Sequence, residues 1–305
     1  MSPWAMPWHL TEDLSEFLAA AGDFLRSRPV AHTVPLTVVE SLRAGGRALG
    51  AGPPRYGWWH SADGEVIGAV VQTPPHPVLL TGMPEPAVAA LPAALTSAGW
   101  LLPAITAGSA VAEGFAAAWR RHTGTAPRIH MRQRLYRLAA LLPPQPSPPG
   151  LARVAAAADR DLLVKWYERF VAEAGAVGGV RPSVIDDRLS HGGLTLWEVD
   201  GTPVALGGQT RVIAGMARVA PIYTRPEQRR RGYGAAVTAA VSRLCQAAGA
   251  RDVVLFTDLA NPTSNSVYQR IGYRAVDDYL MLSLGSEAML PRVDDKHPGR
   301  KDKQA

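Results

Sequence analysis

The sequence predicts an α+β protein with a mixed sheet, built as two folded halves. Three observations lead to this class. The second half reads as a ββ…βαβαβ succession, which is neither a uniform βαβ series nor all-β. Five prolines fall within PPQPSPPG, residues 143–150, near the midpoint of the 305 residues, a composition that favours an extended connector. The stretches DGEVIGAVVQT (63–73) and DGTPVALGGQT (200–210) align without gaps at Asp63/Asp200, Gly64/Gly201, Gln72/Gln209 and Thr73/Thr210. In each, Asp-Gly separates an aromatic-containing segment from an apolar one, the signature of a β-hairpin. The expected organisation is a first folded unit at 1–142, the connector at 143–150, a second unit at 151–285 and a disordered tail at 286–305, where apolar residues become scarce.

Composition bounds the function classes. A chain with 47% hydrophobic and 19% charged residues can bury a core, which excludes wholesale disorder. No apolar run reaches the ~18 residues of a membrane span. The N-terminus, MSPWAMPWHLTEDL, lacks a basic flank before an apolar stretch, so no secretory signal is read and a cytoplasmic location is expected. The one cysteine, Cys245, excludes an intrachain disulfide and a cysteine-rich zinc site. His9, His32, His60 and His76 show no metal-ligand spacing, and no metal is expected. Half of the net charge of +6 comes from Arg229, Arg230 and Arg231, and +2 from the last fifteen residues. Charge confined to two short segments is a poor footprint for nucleic acid, and neither nucleic acid nor a membrane is expected as a partner.

The elements of the second half follow in order. Leu151–Ala156 reads as a strand. A helix starts at Asp159, with Leu162, Leu163, Trp166, Phe170 and Val171 at helical spacing. A second helix is expected over Ser183–Ser190, then the hairpin Leu194–Val199 and Val204–Thr210. A strand over Ala217–Thr224 contains Pro221, which lacks a ladder donor and signals a bulge or an unpaired side. A helix follows over Gly232–Ala248 with Val237, Val241, Leu244, Cys245 and Ala248 on one stripe, which places Cys245 in the core. Val253–Thr257 reads as a strand, Ser264–Ile271 as a short helix, and Tyr273–Leu284 as a last pair of strands. In the first half, VAEGFAAAWRRHTG (111–124) reads as an amphipathic helix with Phe115 and Trp119 on its apolar face.

Chemistry concentrates in VAPIYTRPEQRRRGYGAAVTAAV, 219–241. A strand ends near Thr224, and a turn and a glycine-containing loop open a helix. Free backbone N–H groups at a helix N-terminus, reinforced by the macrodipole, favour anions. Gly232 and Gly234 permit close approach, and three arginines add positive charge. The alternative is a tight turn followed by a solvated arginine face. The motif is neither a P-loop nor a dinucleotide fingerprint. Downstream, DLANPTSNSVYQRIGY (258–273) carries Asn261, Asn265 and Tyr268, for which capping and core packing are the alternatives.

The two segments together resemble the GNAT (Gcn5-related) N-acetyltransferase superfamily. Its pyrophosphate motif, Gln/Arg-x-x-Gly-x-Gly/Ala, is matched by Arg229-Arg230-Arg231-Gly232-Tyr233-Gly234. Its downstream pattern is matched by Asn261, Ser264, Asn265, Tyr268, Gly272 and Tyr273. The likeness covers 151–285. Residues 1–142 have no counterpart of the glycine motif, so the whole resembles a tandem GNAT protein with a degenerate first copy. The resemblance implies acetyl-CoA as acyl donor, lying between strands Ala217–Thr224 and Val253–Thr257. Backbone groups of Ile222, Tyr223 and Thr224 would border the pantetheine, and Arg229, Arg230, Arg231, Gly232, Tyr233, Gly234 and Ala235 the pyrophosphate. Asn261 and Asn265 would approach from the neighbouring loop. It further implies acetyl transfer to a small-molecule or peptide amine by direct attack in a ternary complex. Tyr268 would be the general acid toward the leaving thiolate, and a backbone N–H near Ile222 would stabilise the oxyanion.

No general base can be singled out: Glu198, Asp258, Glu173 and water all remain open. A non-catalytic CoA-binding regulatory protein is the alternative function. The first half packs, walls the acceptor site or mediates dimerisation; a monomer or homodimer is expected.

Overall fold

The computed structural model describes residues 8–44, 52–174 and 182–285; the expected tail, 286–305, lies outside them. The first half runs β1 (His9–Thr11), α1 (Leu14–Ser27), α2 (Thr33–Arg43), β2 (Arg55–His60), β3 (Val66–Gln72), β4 (Val78–Leu80), α3 (Glu85–Ser97), β5 (Ala104–Gly108), α4 (Ser109–Thr123) and β6 (Arg128–Leu138). The second runs β7 (Leu151–Val154), α5 (Arg160–Ala174), α6 (Pro182–Ser190), β8 (Leu194–Val199), β9 (Thr202–Gln209), β10 (Met216–Thr224), α7 (Tyr233–Ala247), β11 (Asp252–Asp258), α8 (Pro262–Arg270) and β12 (Tyr273–Ser283). The order of strands and helices is the same in both, so the Asp-Gly repeat belongs to a full structural duplication. The two hairpins are β2–β3 and β8–β9. At the second turn Asp200 and Gly201 have φ of 50° and 72°, the left-handed pair that a tight hairpin turn requires.

The strands form one twelve-stranded sheet in the order β1-β2-β3-β4-β5-β12-β6-β11-β10-β9-β8-β7. Each half therefore surrenders its last strand to the other. β12 pairs with β5 of the first half, β6 pairs with β11 of the second, and β12 and β6 pair antiparallel from Tyr273↔Leu138 to Ser283↔Arg128. Tyr273–Leu284 is thus one strand, not the expected pair. It contains no Gly, Asn or Pro to turn on, and the extra residue Val276 only shifts its register. Its partner comes instead from the first half. Arg134 fastens the exchange with two hydrogen bonds to Asp278, 2.6 and 2.8 Å.

The exchange gives the connector its task. After β6 the chain must pass β11, β10, β9 and β8 to reach β7 at the far edge. Five inter-strand steps amount to roughly 24 Å, within reach of an extended proline-rich segment. The connector is held at Trp197 Nε1, which donates to the Pro149 carbonyl at 2.9 Å. Gly150 has φ 103°, and a Cβ there would strike the Glu198 carbonyl.

Helices cover both faces. α1 and α2 pack on β2 and β3 and reach Leu135, Met216 and Val254. α5 and α6 cover β8, β9 and Tyr223 of β10. α7 and α8 bring Cys245 and Tyr268 onto Ala217, Val219 and Tyr136 of the sheet. Cys245 is 1% exposed, and burial pushes its thiol up to about 12, as a core cysteine should behave. Phe115 and Trp119 of α4 are buried, as their spacing predicts. His32 is buried and its Nδ1–H donates to the Leu25 carbonyl at 3.2 Å, and His9 stacks on Trp58.

Candidate active site

β10 and β11 run parallel and pair only at Met216↔Asp252, Ala217↔Val253 and Arg218↔Val254. Beyond Arg218 they part, and β10 continues to Thr224 with its β11-side edge free. On its other side β10 shifts register against β9 between Val219 and Ile222, around Pro221. The bulge predicted from that proline is there. Arg225 N–H donates to the Val204 carbonyl of β9. Strand alternation then turns the main-chain groups of Ile222 and Thr224 away from β9, toward the opening.

The loop after β10 forms a concave run of donors. Arg230 and Gly232 have φ of 63° and 85°, and Gly232 is the N-cap of α7. Among the described residues, none of the backbone N–H groups from Arg230 to Ala235 finds an acceptor. Six free amides, left-handed residues among them and a helix dipole behind, make an anion-binding nest. Gly232 is needed for its backbone conformation, since a Cβ there would meet only Pro148 of the connector at 3.7 Å. Gly234 has ordinary room, since a Cβ there would sit 3.4 Å from Thr224 Oγ1. Arg230 and Arg231 are exposed. Arg229 turns back instead: its Nη2 pairs with Glu173 at 2.6 Å and its Nε donates to the Thr224 carbonyl at 3.1 Å. Tyr233 is buried beneath the loop. Tyr223 packs on Trp166, and its hydroxyl is buried without a hydrogen-bond partner among the described residues.

On the opposite side of the opening, α8 carries the downstream motif. Asn261 is its N-cap and accepts from Ser264 N–H at 3.0 Å. Asn265 donates through Nδ2 to the carbonyls of Asp258 and Asn261, both at 2.8 Å. Its Oδ1 accepts from the Tyr136 hydroxyl at 3.0 Å. Both asparagine side chains are thus engaged within the protein, and they shape the loop. Tyr268 is 9% exposed, its hydroxyl makes no hydrogen bond among the described residues, and burial pushes it up to about 12. It lies edge-on to Tyr273, whose hydroxyl is 2.7 Å from Ser242 Oγ.

Of the carboxylates considered as base, Glu173 pairs with Arg229, and Glu198 shares Arg153 with Asp159. Asp258 Oδ1 accepts from Ala260 N–H at the end of β11. Among the described residues no group of His, Cys, Asp and Glu is placed to hold a metal, and no helix is long and apolar enough to cross a membrane.

The first half has a corresponding pair of parallel strands, β4 and β5, but no corresponding nest among its described residues. Its α3 starts with Pro84 as N-cap and Glu85 in the first turn. A missing N–H and a carboxylate both oppose an anion there. Two residues that sequence reasoning passed over now matter. Tyr136 crosses from the first half to hold Asn265. Arg218 is a charge inside the apolar strand MARVAPIYT, a break in pattern that is visible in the sequence.

The FR47-like protein family model matches residues 212–282, the stretch holding β10, the nest and α8. No curated protein matches the chain. Among solved structures, a GCN5-related N-acetyltransferase from Sphaerobacter thermophilus superposes with TM-score 0.62 at 16% identity, covering 96% of this chain and 99% of its own. The chain has the GNAT fold. The tandem GNAT protein from the clavulanic acid biosynthesis pathway matches at TM-score 0.56 and 13% identity, covering 91% of this chain and 98% of its own. The GCN5-related N-acetyltransferase from Kribbella flavida matches at 0.52 and 24%, covering 84% and 98%. Coverage of nearly the whole length by a tandem GNAT bears out two GNAT-like units in one chain.

Proposed function

We propose that the chain is an acetyl-CoA-dependent N-acetyltransferase whose single working site lies in the second half. The observation that carries this reading is the run of six unpartnered amides from Arg230 to Ala235, beside a strand pair that parts after Arg218. The nest suits the CoA pyrophosphate, and Arg230 and Arg231 add charge at its rim. Arg229 acts one step removed, tying the end of β10 to α5 through Glu173. The pantetheine lies along the free edge of β10 and meets the main chain of Ile222 and Thr224. Tyr223 and Tyr233 pack behind, and Asn261 and Asn265 fix the loop that faces the ligand.

In the reaction the neutral amine nitrogen of the acceptor attacks the thioester carbonyl carbon. The C–N bond forms, the C–S bond breaks, and the nitrogen gives up a proton to water. The thiolate takes its proton from Tyr268, whose phenolate then regains one from water, so the proton lost by nitrogen ends on sulfur. Burial holds that phenol near 12, so it stays a donor at neutral pH. The first half supports the site through Tyr136.

Isothermal calorimetry with CoA and thiol release over an amine panel test the reading. Binding together with amine-dependent thiol release is expected. Binding without turnover on any amine would favour a CoA-binding regulatory protein, and no binding would remove both.

A further inference from the structure

Arg188 and Arg218 lie over the apex of the opening, on the face away from Tyr268. Arg218 stands at the last paired position of β10 and β11. Its neighbours Ala217 and Val219 point toward Tyr268, so alternation sends the Arg218 side chain to the other face. There α6 supplies Arg188, 9% exposed, whose Nη1 donates to the Ala220 carbonyl in the bulge at 2.7 Å. Tyr167 of α5 also borders Arg218. The Arg218 guanidinium makes no hydrogen bond and no ion pair among the described residues, and the residue stays partly open to solvent. Where β10 and β11 part beside this pair, the strands leave an opening that serves as the recess.

Buried guanidinium groups are ordinarily matched by carboxylates. Here the nearby carboxylates are taken. Asp186 is held by Arg160 at 2.6 and 3.0 Å, and Asp187 by Arg211 at 2.7 Å. His191, 3.9 Å from Asp187, adds no negative charge. The residues between α5 and α6, GAVGGVR at 175–181, contain no acidic side chain. Two arginines therefore face one recess with no carboxylate paired to either among the described residues. Burial, with Arg188 adding to it, lowers Arg218 to about 10, still protonated at neutral pH.

We infer that this recess binds a compact oxyanion, carboxylate or phosphate, carried by the acyl acceptor, so that the acceptor is an amine bearing an anionic group. The inference rests on the acetyl-transfer reading for its substrate, though not for the anion site itself. The forked guanidinium fits either oxyanion. A group anchored there would hold its amine at the apex, across the opening from Tyr268.

The test compares matched amines: an amino acid against its decarboxylated amine, and an aminoalkyl phosphate against the amino alcohol. Wild-type protein should prefer at least one anionic member by about tenfold or more in kcat/KM. Which pair shows it identifies the oxyanion. Arg218→Gln should bring that ratio close to one, and Arg218→Lys, which keeps charge without the fork, should fall between. No preference in the wild type, or one that survives in Arg218→Gln, overturns the inference. A second measurement needs no turnover. With CoA present in excess to fill the nest, succinate or inorganic phosphate should raise the Tm of the wild type and not of Arg218→Gln. Equal shifts in both would place the anion elsewhere. Without anion, Arg218→Gln should match or exceed the wild-type Tm, because an uncompensated charge is gone; a fall of more than about 4 °C would overturn the inference by giving the guanidinium a structural role. Absence of CoA binding would sink the acetyl-transfer reading alone, since the anion-dependent Tm difference would still report on the recess.

Discussion

Tyr136→Phe isolates the contribution of the first half to the site. Tyr136 is fully buried on β6, the strand lodged beside β11. Its hydroxyl donates to Asn265 Oδ1 and accepts from Gln269 Nε2, both at 3.0 Å. Removing the hydroxyl leaves the ring packing intact and strands these two groups. Gln269 is exposed and water replaces its partner, so little is lost there. Asn265 is half-buried, and its oxygen loses the better part of a hydrogen bond. The expected loss is about 1–2 kcal/mol, or roughly 2–8 °C in Tm for a chain of this size. Because Asn265 also clasps the carbonyls of Asp258 and Asn261, the loosening reaches the first turn of α8, and turnover should fall while CoA affinity changes little. Differential scanning calorimetry and steady-state thiol release on the variant read both effects. An unchanged Tm with unchanged turnover would refute the idea that the exchanged strand supports the site.

Three further outcomes are expected. Tyr268→Phe should lower turnover and leave CoA affinity by calorimetry nearly unchanged, and the wild-type pH–rate profile should show no alkaline loss from this phenol below about pH 11; a variant as fast as wild type would remove the acid role. Gly232→Val forces a β-branched residue to φ 85° and distorts the nest, so CoA binding should be lost; normal binding would remove the nest from the reading. Asp278 is held below its ordinary value of 3.8 chiefly by its hydrogen bonds from Arg134. A lowered folded value means stability that is present above about pH 4 and lost as pH falls through that lowered value. Asp278→Asn should thus lower Tm at pH 7, with the deficit shrinking in acid, and a deficit independent of pH would show that the pair does not fasten the exchange electrostatically.

The sequence by itself determined what local chemistry controls. Asp200-Gly201 dictates a hairpin because its backbone tolerates left-handed angles. Pro221 dictates a bulge because it cannot donate. Gly232 before an amphipathic helix dictates a turn with unpaired amides. Helical spacing put Cys245, Phe115 and Trp119 in the core. Each of these depends on neighbours a few residues away, so each could be read along the chain. Only the tertiary structure decided which strand lies beside which. Nothing in YRAVDDYLMLS says that its partner is β6 from the other half, because ladder hydrogen bonds look alike whatever segment supplies them. The same holds for partners of side chains. Arg229 belongs to the glycine motif in sequence, yet Glu173 on α5 draws it away. Asn265 matches a ligand-facing pattern, yet Tyr136 and two carbonyls consume its amide. Arg218 stood out in its strand as a charge, but that its neighbouring carboxylates are already paired, leaving it facing Arg188, depends on how α5 and α6 pack across β10.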